Sequence, residues 1–349
     1  MADILDIFNG DAFSTSELTL GVQRNPFQPI GLGALDIFTP DPIRTTSLSI
    51  EERTGQLVLI PFSERGAEGK QRTTEKRKMR HFNVPRLMHD DTLYSSELQN
   101  VRAFQEGQSQ VSVFTQVQDE IARRLSGPTG LLASVEYTKE YMRLAAVQGL
   151  CLDPGTNDVL YNWFDEFGIS QAAPIAFNLA GVNTANSIRP ICNSIVRTIA
   201  RKAQGAFPAG TKVYALCGDV FYDEFVNHPD VIRTFLNWSD AAQLRNNAQG
   251  AAFDSFEFAG IVFMNYRGSD DNSTVKIPAN EVKFFPDAPG IFREVMAPGE
   301  TMDWVNTPGK PVYVLPIPDL QRRMWWKMEA YSYPLMICTR PEVLLSGVA

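Results

Sequence analysis

The sequence predicts a mixed α+β protein with a substantial non-globular N-terminal part, and three observations predict it. The second half alternates helical and β-prone segments. Residues 1–48 thread prolines and glycines through an apolar stretch. A polar, basic finger, "SERGAEGKQRTTEKRKMRHFNVP" (63–85), separates two apolar segments.

Length and composition bound the rest. At about 100–200 residues per domain, 349 residues make two domains or one elaborated one. A chain 44% hydrophobic and 21% charged can bury a real core. No apolar run approaches the ~18 residues that would span a bilayer. The start, "MADILDIFNGDAF", places acids where a signal peptide needs positive charge, so the expected compartment is the cytosol or something assembled there. Cys151, Cys192, Cys217 and Cys338 lie far apart, form no C-x-x-C pair, and read as buried reduced thiols.

The elements follow in chain order. "RNPFQPIGLGALDIFTPDPIRT" has prolines at 26, 29, 40 and 42, which remove donors and block helix continuation. It also carries Phe27, Ile30, Leu32, Leu35, Ile37 and Phe38, more apolar side chain than a disordered tail holds. It reads as a strap lying along another surface, either its own domain or a neighbour. "GQLVLIPF" (55–62) reads as a strand and "RHFNVPRL" (80–87) as its partner, with the finger between them. "SQVSVFTQVQDEIARRL" (109–125) has Val111, Phe114, Val117, Ile121 and Leu125 at helical steps, and "SGPTG" stops it. "LLASVEYTKEYMRLAAVQG" (131–149) is a second helix, with Tyr137, Tyr141, Leu144 and Ala145 on one face. "LCLDPGTNDVLYNWF" reads as two strands around Asp153-Pro154-Gly155. Further on come a helix (189–203), a strand (212–218) and a helix broken at Pro229 (219–238), with Asp219 and Asp230 suited to N-caps. A hairpin turning at Ala259-Gly260 and a final aromatic, β-prone strand (328–345) close the chain.

Motifs that carry chemistry are sparse. The histidines are His81, His89 and His228. His81 and His89 are poorly spaced for a shared metal, with Pro85 between them. His228 precedes Pro229, where a cation suits a helix C-terminus. "SERGAEGK" lacks P-loop spacing. The pairs Asp165-Glu166, Asp223-Glu224 and Asp270-Asp271 read as solvated faces. No enzyme, cofactor or metal is expected.

The finger carries seven Lys/Arg (Arg65, Lys70, Arg72, Lys76, Arg77, Lys78, Arg80) against three Glu, in a chain of net charge −8. Three readings are open. Nucleic-acid binding would use the cations on phosphates, but the finger has interspersed acids and no aromatic stacking platform. A disordered surface loop is the second. The third is an arm docking on an acidic patch of a neighbouring copy, where charge complementarity sets register. The company of a proline-rich strap on a chain without a visible active site favours the third.

This order of arm, long two-stranded loop, long helix, hairpin, α/β segment and final strand resembles the major capsid proteins of tailed bacteriophages. Those have the Hong Kong 97-type α+β fold, and the order resembles specifically the family of the phage lambda head protein E. "YSYPLMICTRPEVLLSGVA" resembles that family's ending, and "FSTSELTLGVQRNPFQPIGLGALDIF" its arm. "GQLVLIPFSERGAEGK…HFNVPRL" resembles its extended loop, the E-loop. The resemblance implies an arm at 1–48, the E-loop and its strands at 49–96, and a peripheral (P) domain from 97–180 with 318–349. It places an axial (A) domain at 181–317. Helices within 109–149 would be the spine of the P domain, completed by the hairpin 151–164 and a strand near 329–339.

The resemblance also implies a function: a head protein self-assembling into hexamers and pentamers of an icosahedral shell around double-stranded DNA, held without specific binding. A nanocompartment shell of the same fold is the rival reading. The E-loop cations and the arm residues Phe27, Ile30, Leu35 and Phe38 would contact neighbouring subunits. Some relatives crosslink an E-loop lysine; Lys70, Lys76 and Lys78 are present, and no crosslink is expected. The arm begins at once, which implies a separate scaffolding protein, with a portal and a decoration protein as further partners. Assembly is expected in the host bacterial cytoplasm. Net negative charge suits a container that must not grip its DNA.

Overall fold

The computed structural model describes residues 31–54, 76–99, 113–179, 188–208, 210–236, 255–266 and 276–349. It opens on a helical turn, α1 (Gly31–Ala34), and a short strand, β1 (Thr39–Pro42). β1 pairs in parallel with β12 (Phe292–Met296), which pairs antiparallel with β15 (Pro334–Cys338). The strap therefore joins its own body from residue 31 onward. Ile37 and Phe38 are buried, and the Phe38 ring lies 5.2 Å from that of Phe292.

The basic finger is in part a ribbon. β2 (Ser47–Thr54) pairs antiparallel with β3 (Lys76–Asn83), from Ser47 opposite Asn83 to Thr54 opposite Lys76. The expected strand 55–62 lies outside the described residues, and the observed partner of the 80–83 segment is β2. The expected strand 80–87 is also divided. Its end at Leu87 starts β4 (Leu87–Tyr94), which belongs to a different sheet, and Pro85 sits in the connection. Proline lacks the N–H that would continue a ladder, so the break falls where the chain cannot donate.

After α2 (Ser95–Gln99), the helices α3 (Val113–Ser126) and α4 (Leu131–Val147) fall where their periodicity puts them. They cover a three-stranded antiparallel sheet of β13 (Tyr313–Pro318), β14 (Trp325–Ser332) and β4. Leu93, Ile121, Leu131, Val135, Met328 and Ala330 make the core between them. Arg124 ties α3 to β4 and α2, reaching Asp91 Oδ1 at 3.2 Å, Thr92 O at 3.1 Å and the Glu97 carboxylate. The second half of α4 enters the main core through Met142, Leu144, Ala146 and Val147. At 1.5 Å per residue the 17 residues of α4 run roughly 25 Å, long enough to bridge both cores as a spine.

The remaining elements are the hairpin β5 (Leu150–Leu152) and β6 (Val159–Asn162), the short α5 (Trp163–Phe167), and a six-stranded sheet. Its order is β7 (Ile175–Ala176), β16 (Leu345–Val348), β11 (Glu281–Pro286), β8 (Val213–Cys217), β10 (Ile261–Asn265) and β9 (Ser255–Phe258). Ala259 and Gly260, both at positive φ (51° and 79°), make the β9–β10 turn; that geometry matches the right-handed twist of the strands. α6 (Ile188–Lys202), α7 (Asp219–Val226) and α8 (Pro229–Leu236) complete this part. Phe177, Phe221, Phe225, Phe256, Phe258, Phe263 and Phe284 form an aromatic layer under α7, with Phe225 and Phe263 stacked at 4.2 Å.

Three expectations are corrected. The single final strand 328–345 is two strands, β14 and β15, followed by a 3₁₀ turn (Pro341–Val343) and β16. β16 returns to the six-stranded sheet beside β11 rather than to the sheet of β14. Asp219 and Asp230 lie inside the first turns of α7 and α8, and the N-cap of α7 is Gly218. His228 is buried at 3% exposure on the N-terminal side of α8, and its Nδ1 accepts the Asp230 N–H at 3.2 Å. The ring thus caps the first turn of α8 by taking one of its free N–H groups.

All four cysteines are buried. Burial disfavours the thiolate and pushes Cys151, Cys192 and Cys338 up to about 12. Since the thiolate is the reactive form, an aromatic disulfide reagent at pH 8 is expected to titrate no thiol in the native chain and four after unfolding. Rapid labelling of the native chain would contradict this packing.

Candidate assembly surfaces

The β2–β3 ribbon is clamped at the Leu48–Phe82 end and exposes Arg77, Lys78 and Met79 farther along. At the clamp, Leu48 faces Phe82 across the strands, and both are buried. The Phe82 ring meets Tyr161 at 5.4 Å, Trp163 at 5.3 Å and Phe167 at 6.5 Å. The Tyr161 hydroxyl accepts the Asn83 N–H at 3.0 Å and donates to Asn83 O at 3.2 Å. Arg80 belongs to this clamp. It is 8% exposed, its Nε donates to Glu166 O at 2.6 Å, and its guanidinium lies 4.8 Å from the Phe167 ring. Arg80 is thus an internal anchor and not a free docking cation, a correction to its expected role.

Farther along β3, Arg77, Lys78 and Met79 are exposed. Arg77 lies 3.5 Å from Glu51 on β2, an exposed pair worth about 0–1 kcal/mol. A contact that weak leaves Arg77 available to a second partner. Lys76 ends the ladder opposite Thr54. Arg65, Lys70 and Arg72 lie outside the described residues, so of the seven finger cations the structure presents Arg77 and Lys78 at the surface.

The arm is held by a buried ionic catch that sequence reasoning missed. Glu140 on α4 is fully buried. Its carboxylate accepts the Leu32 N–H at 2.6 Å, the Gly33 N–H at 3.1 Å and the Tyr266 hydroxyl at 3.1 Å. Arg143 sits 3.5 Å away, and its guanidinium also reaches Glu136 at 2.6 Å and Glu294 on β12 at 3.2 Å. Buried Lys139 lies 3.2 Å from the same Glu294. One cluster therefore joins the arm, the spine helix, β12 and the end of β10. Burial is the largest influence on Glu140 and raises its carboxyl above the usual value near 4.5, while these donors oppose it. Of the expected arm contacts, Phe38 is a core residue of its own chain, which corrects its intersubunit role, and Leu35 packs half-buried on the same core. Phe27 and Ile30 lie outside the described residues.

A third surface also escaped sequence reading. The turn joining β13 to β14 exposes Leu320 and Met324 beside Trp325 and Tyr94, which face each other across β14 and β4. Asp319 shapes the turn by accepting the N–H groups of Arg322 and Gln321 at 3.1 Å and Met324 at 3.3 Å, contacts that hold its carboxyl below the usual value. The signal in "PDLQRRMWW" is apolar residues alternating with arginine after an Asp, too short to separate from an ordinary loop.

Among the described residues no group of His, Cys, Asp and Glu could hold a metal ion, and His81 and His89 stand on different sheets.

Comparison with known proteins agrees with this architecture. Residues 14–349 match the family described as phage major capsid protein E. The chain is 26% identical over 332 residues to the major capsid protein of Pseudomonas phage KPP10, covering 90% of this chain and 91% of that one. It is 22% identical over 368 residues to that of Salmonella phage Felix O1, covering 95% of each. In fold it is similar to the putative capsid protein of an Escherichia coli CFT073 prophage, with TM-score 0.54, 11% identity and 93% and 94% of the two chains covered. It is likewise similar to the capsid of cyanophage P-SCSP1u, with TM-score 0.52, 11% identity and 97% and 93% covered. The mixed helices and strands are those of a Hong Kong 97-type capsid protein. With its arm, ribbon, spine helix and six-stranded sheet in this order, and with the family match running over nearly its whole length, the chain belongs to the phage major capsid protein E family.

Proposed function

We propose that the chain assembles into hexameric and pentameric capsomers of an icosahedral head that encloses double-stranded DNA without sequence-specific contacts. The observation that carries the reading is the ribbon. It is fastened at Phe82 and Arg80 and presents Arg77 and Lys78 outward, with Arg77 in an exposed pair to Glu51. A ribbon anchored in its own body that exposes Arg77, Lys78 and Met79 is suited to lie on a neighbour. Closed shells reuse one surface in slightly different settings, so a rigid body with projecting arms suits them. Membership in a phage capsid family favours a phage head over a nanocompartment shell. A scaffolding protein, a portal and a decoration protein are the further partners of this reading, with assembly in the host bacterial cytoplasm.

The test is reversal of the exposed cations. Arg77→Glu/Lys78→Glu is expected to leave the melting temperature within about 2 °C, as surface changes usually do, and to abolish shells or capsomers seen by negative-stain electron microscopy. Normal particles from this variant would remove the ribbon from assembly. Deletion of residues 1–30 spares the buried Leu32, Ile37 and Phe38. It is expected to block assembly while the body stays folded.

A further inference from the structure

We propose that the basic face of α6 on one copy docks on the acidic face of α7 on the next, and that this contact repeats head to tail around a capsomer. The inference deepens the shell reading and rests on it. α6 carries Arg189, Arg197, Arg201 and Lys202 and no acidic residue, in a chain of net charge −8. Its other face, Ile188, Cys192, Ile195 and Ile199, is completely buried, so the exposed Arg189, Arg197 and Arg201 share the solvent side. α7 is the opposite case. It carries Asp219, Asp223 and Glu224 and no basic residue. Phe221 and Phe225 are buried beneath it, while Asp219 and Asp223 are exposed.

Among the described residues neither face is neutralised by an opposite charge. Among the described residues, none of these seven charges makes an ion pair, and α8 packs against both helices. Arg189 has one partial engagement, its guanidinium 6.0 Å from the Phe258 ring, so Arg197 and Arg201 are the central pair. Arg197 and Arg201 are four residues apart, as are Asp219 and Asp223. Like charges at that spacing repel along a helix, so each face is destabilised alone and relieved by an opposite one. Two different faces meeting is a heterologous contact, and repetition of a heterologous contact closes a ring when the rotation permits. Charge pairs of this exposed kind set register and association rate, and salt screens them.

The test is a charge-swap cycle on the full-length chain, reading the fraction in capsomers or shells by sedimentation and electron microscopy. Arg197→Glu/Arg201→Glu and Asp219→Lys/Asp223→Lys are each expected to lower that fraction about tenfold at physiological salt. The quadruple variant, in which reversed faces meet again, is expected to recover to within about twofold of wild type. Failure of the quadruple variant to recover would overturn the proposal, as would full assembly of either double variant. If a reversal fails to fold, Arg197→Gln/Arg201→Gln serves in its place, with loss of the salt dependence of wild-type assembly as the expected result. Normal capsomers from Arg197→Glu/Arg201→Glu together with salt-steep loss of duplex DNA binding would assign the row to phosphates and overturn the docking. A wild-type chain forming no ring or shell would overturn the shell reading and this contact with it; wild-type rings with unaffected variants would overturn the contact alone.

Discussion

Replacing Glu140 with Ala is expected to cost about 3–5 kcal/mol of folding stability, the usual penalty for removing one partner from a buried ionic cluster. The carboxylate meets two backbone N–H groups of α1, the Tyr266 hydroxyl and Arg143, and it is fully buried. Alanine strands those donors away from water. Residues 31–34 then lose their fastening to the spine helix, so limited proteolysis is expected to cut near Leu32 in the variant and not in wild type. Denaturant midpoints within error of wild type would show that the catch does not hold the arm.

Glu140→Gln separates charge from shape. Its single carbonyl oxygen cannot replace two carboxylate oxygens, so a buried N–H goes unmet, at about 1–3 kcal/mol. The pH dependence has a definite sign. Burial raises the native carboxyl above its usual 4.5, so the native state holds this proton more tightly than the unfolded chain does. The stability from Glu140 is complete below about pH 4.5 and declines as pH rises through the native value. The advantage of wild type over Glu140→Gln should therefore narrow with rising pH. An advantage that widens would mean that the surrounding donors outweigh burial.

The second large effect is at the base of the ribbon. Phe82→Ala is expected to cost about 3–5 kcal/mol, the range for emptying a buried aromatic site. Phe82 is 1% exposed and touches the rings of Tyr161, Trp163 and Phe167, two of which belong to α5 and one to β6. The variant should also assemble poorly even where it folds, because the ribbon loses its fixed angle. Phe82→Leu keeps an apolar side chain there and is expected to lose less. A loss below about 1 kcal/mol for the alanine variant would place the clamp elsewhere, in Arg80 or Leu48.

Much of the architecture is written locally. The spacing Val117, Ile121, Leu125 gives α3, and Ala259-Gly260 gives the β9–β10 turn, because period and turn chemistry depend only on near neighbours. The ribbon shows where that stops. Sequence reading put the partner strand at 55–62, yet β2 at 47–54 is the one that pairs with β3, and nothing local to β3 says so. In "LLASVEYTKEYMRLAAV", Lys139, Glu140 and Arg143 look like an ordinary solvent face. They are buried because β12 and the arm, each more than 100 residues away, close over that side of the helix. Arg80 and Arg77 are chemically alike and three residues apart, yet one lies on Phe167 inside the molecule and the other at its surface.

The sequence by itself determined the class, the order of elements and the absence of a familiar catalytic motif. Each of those follows from composition and short-range periodicity. Only the tertiary structure decided which charges are buried, where the arm stops being an arm, and which cations remain exposed. The reason is that a charged side chain carries the same letter whether water or a distant strand faces it, and desolvation is settled by what the rest of the chain packs against it.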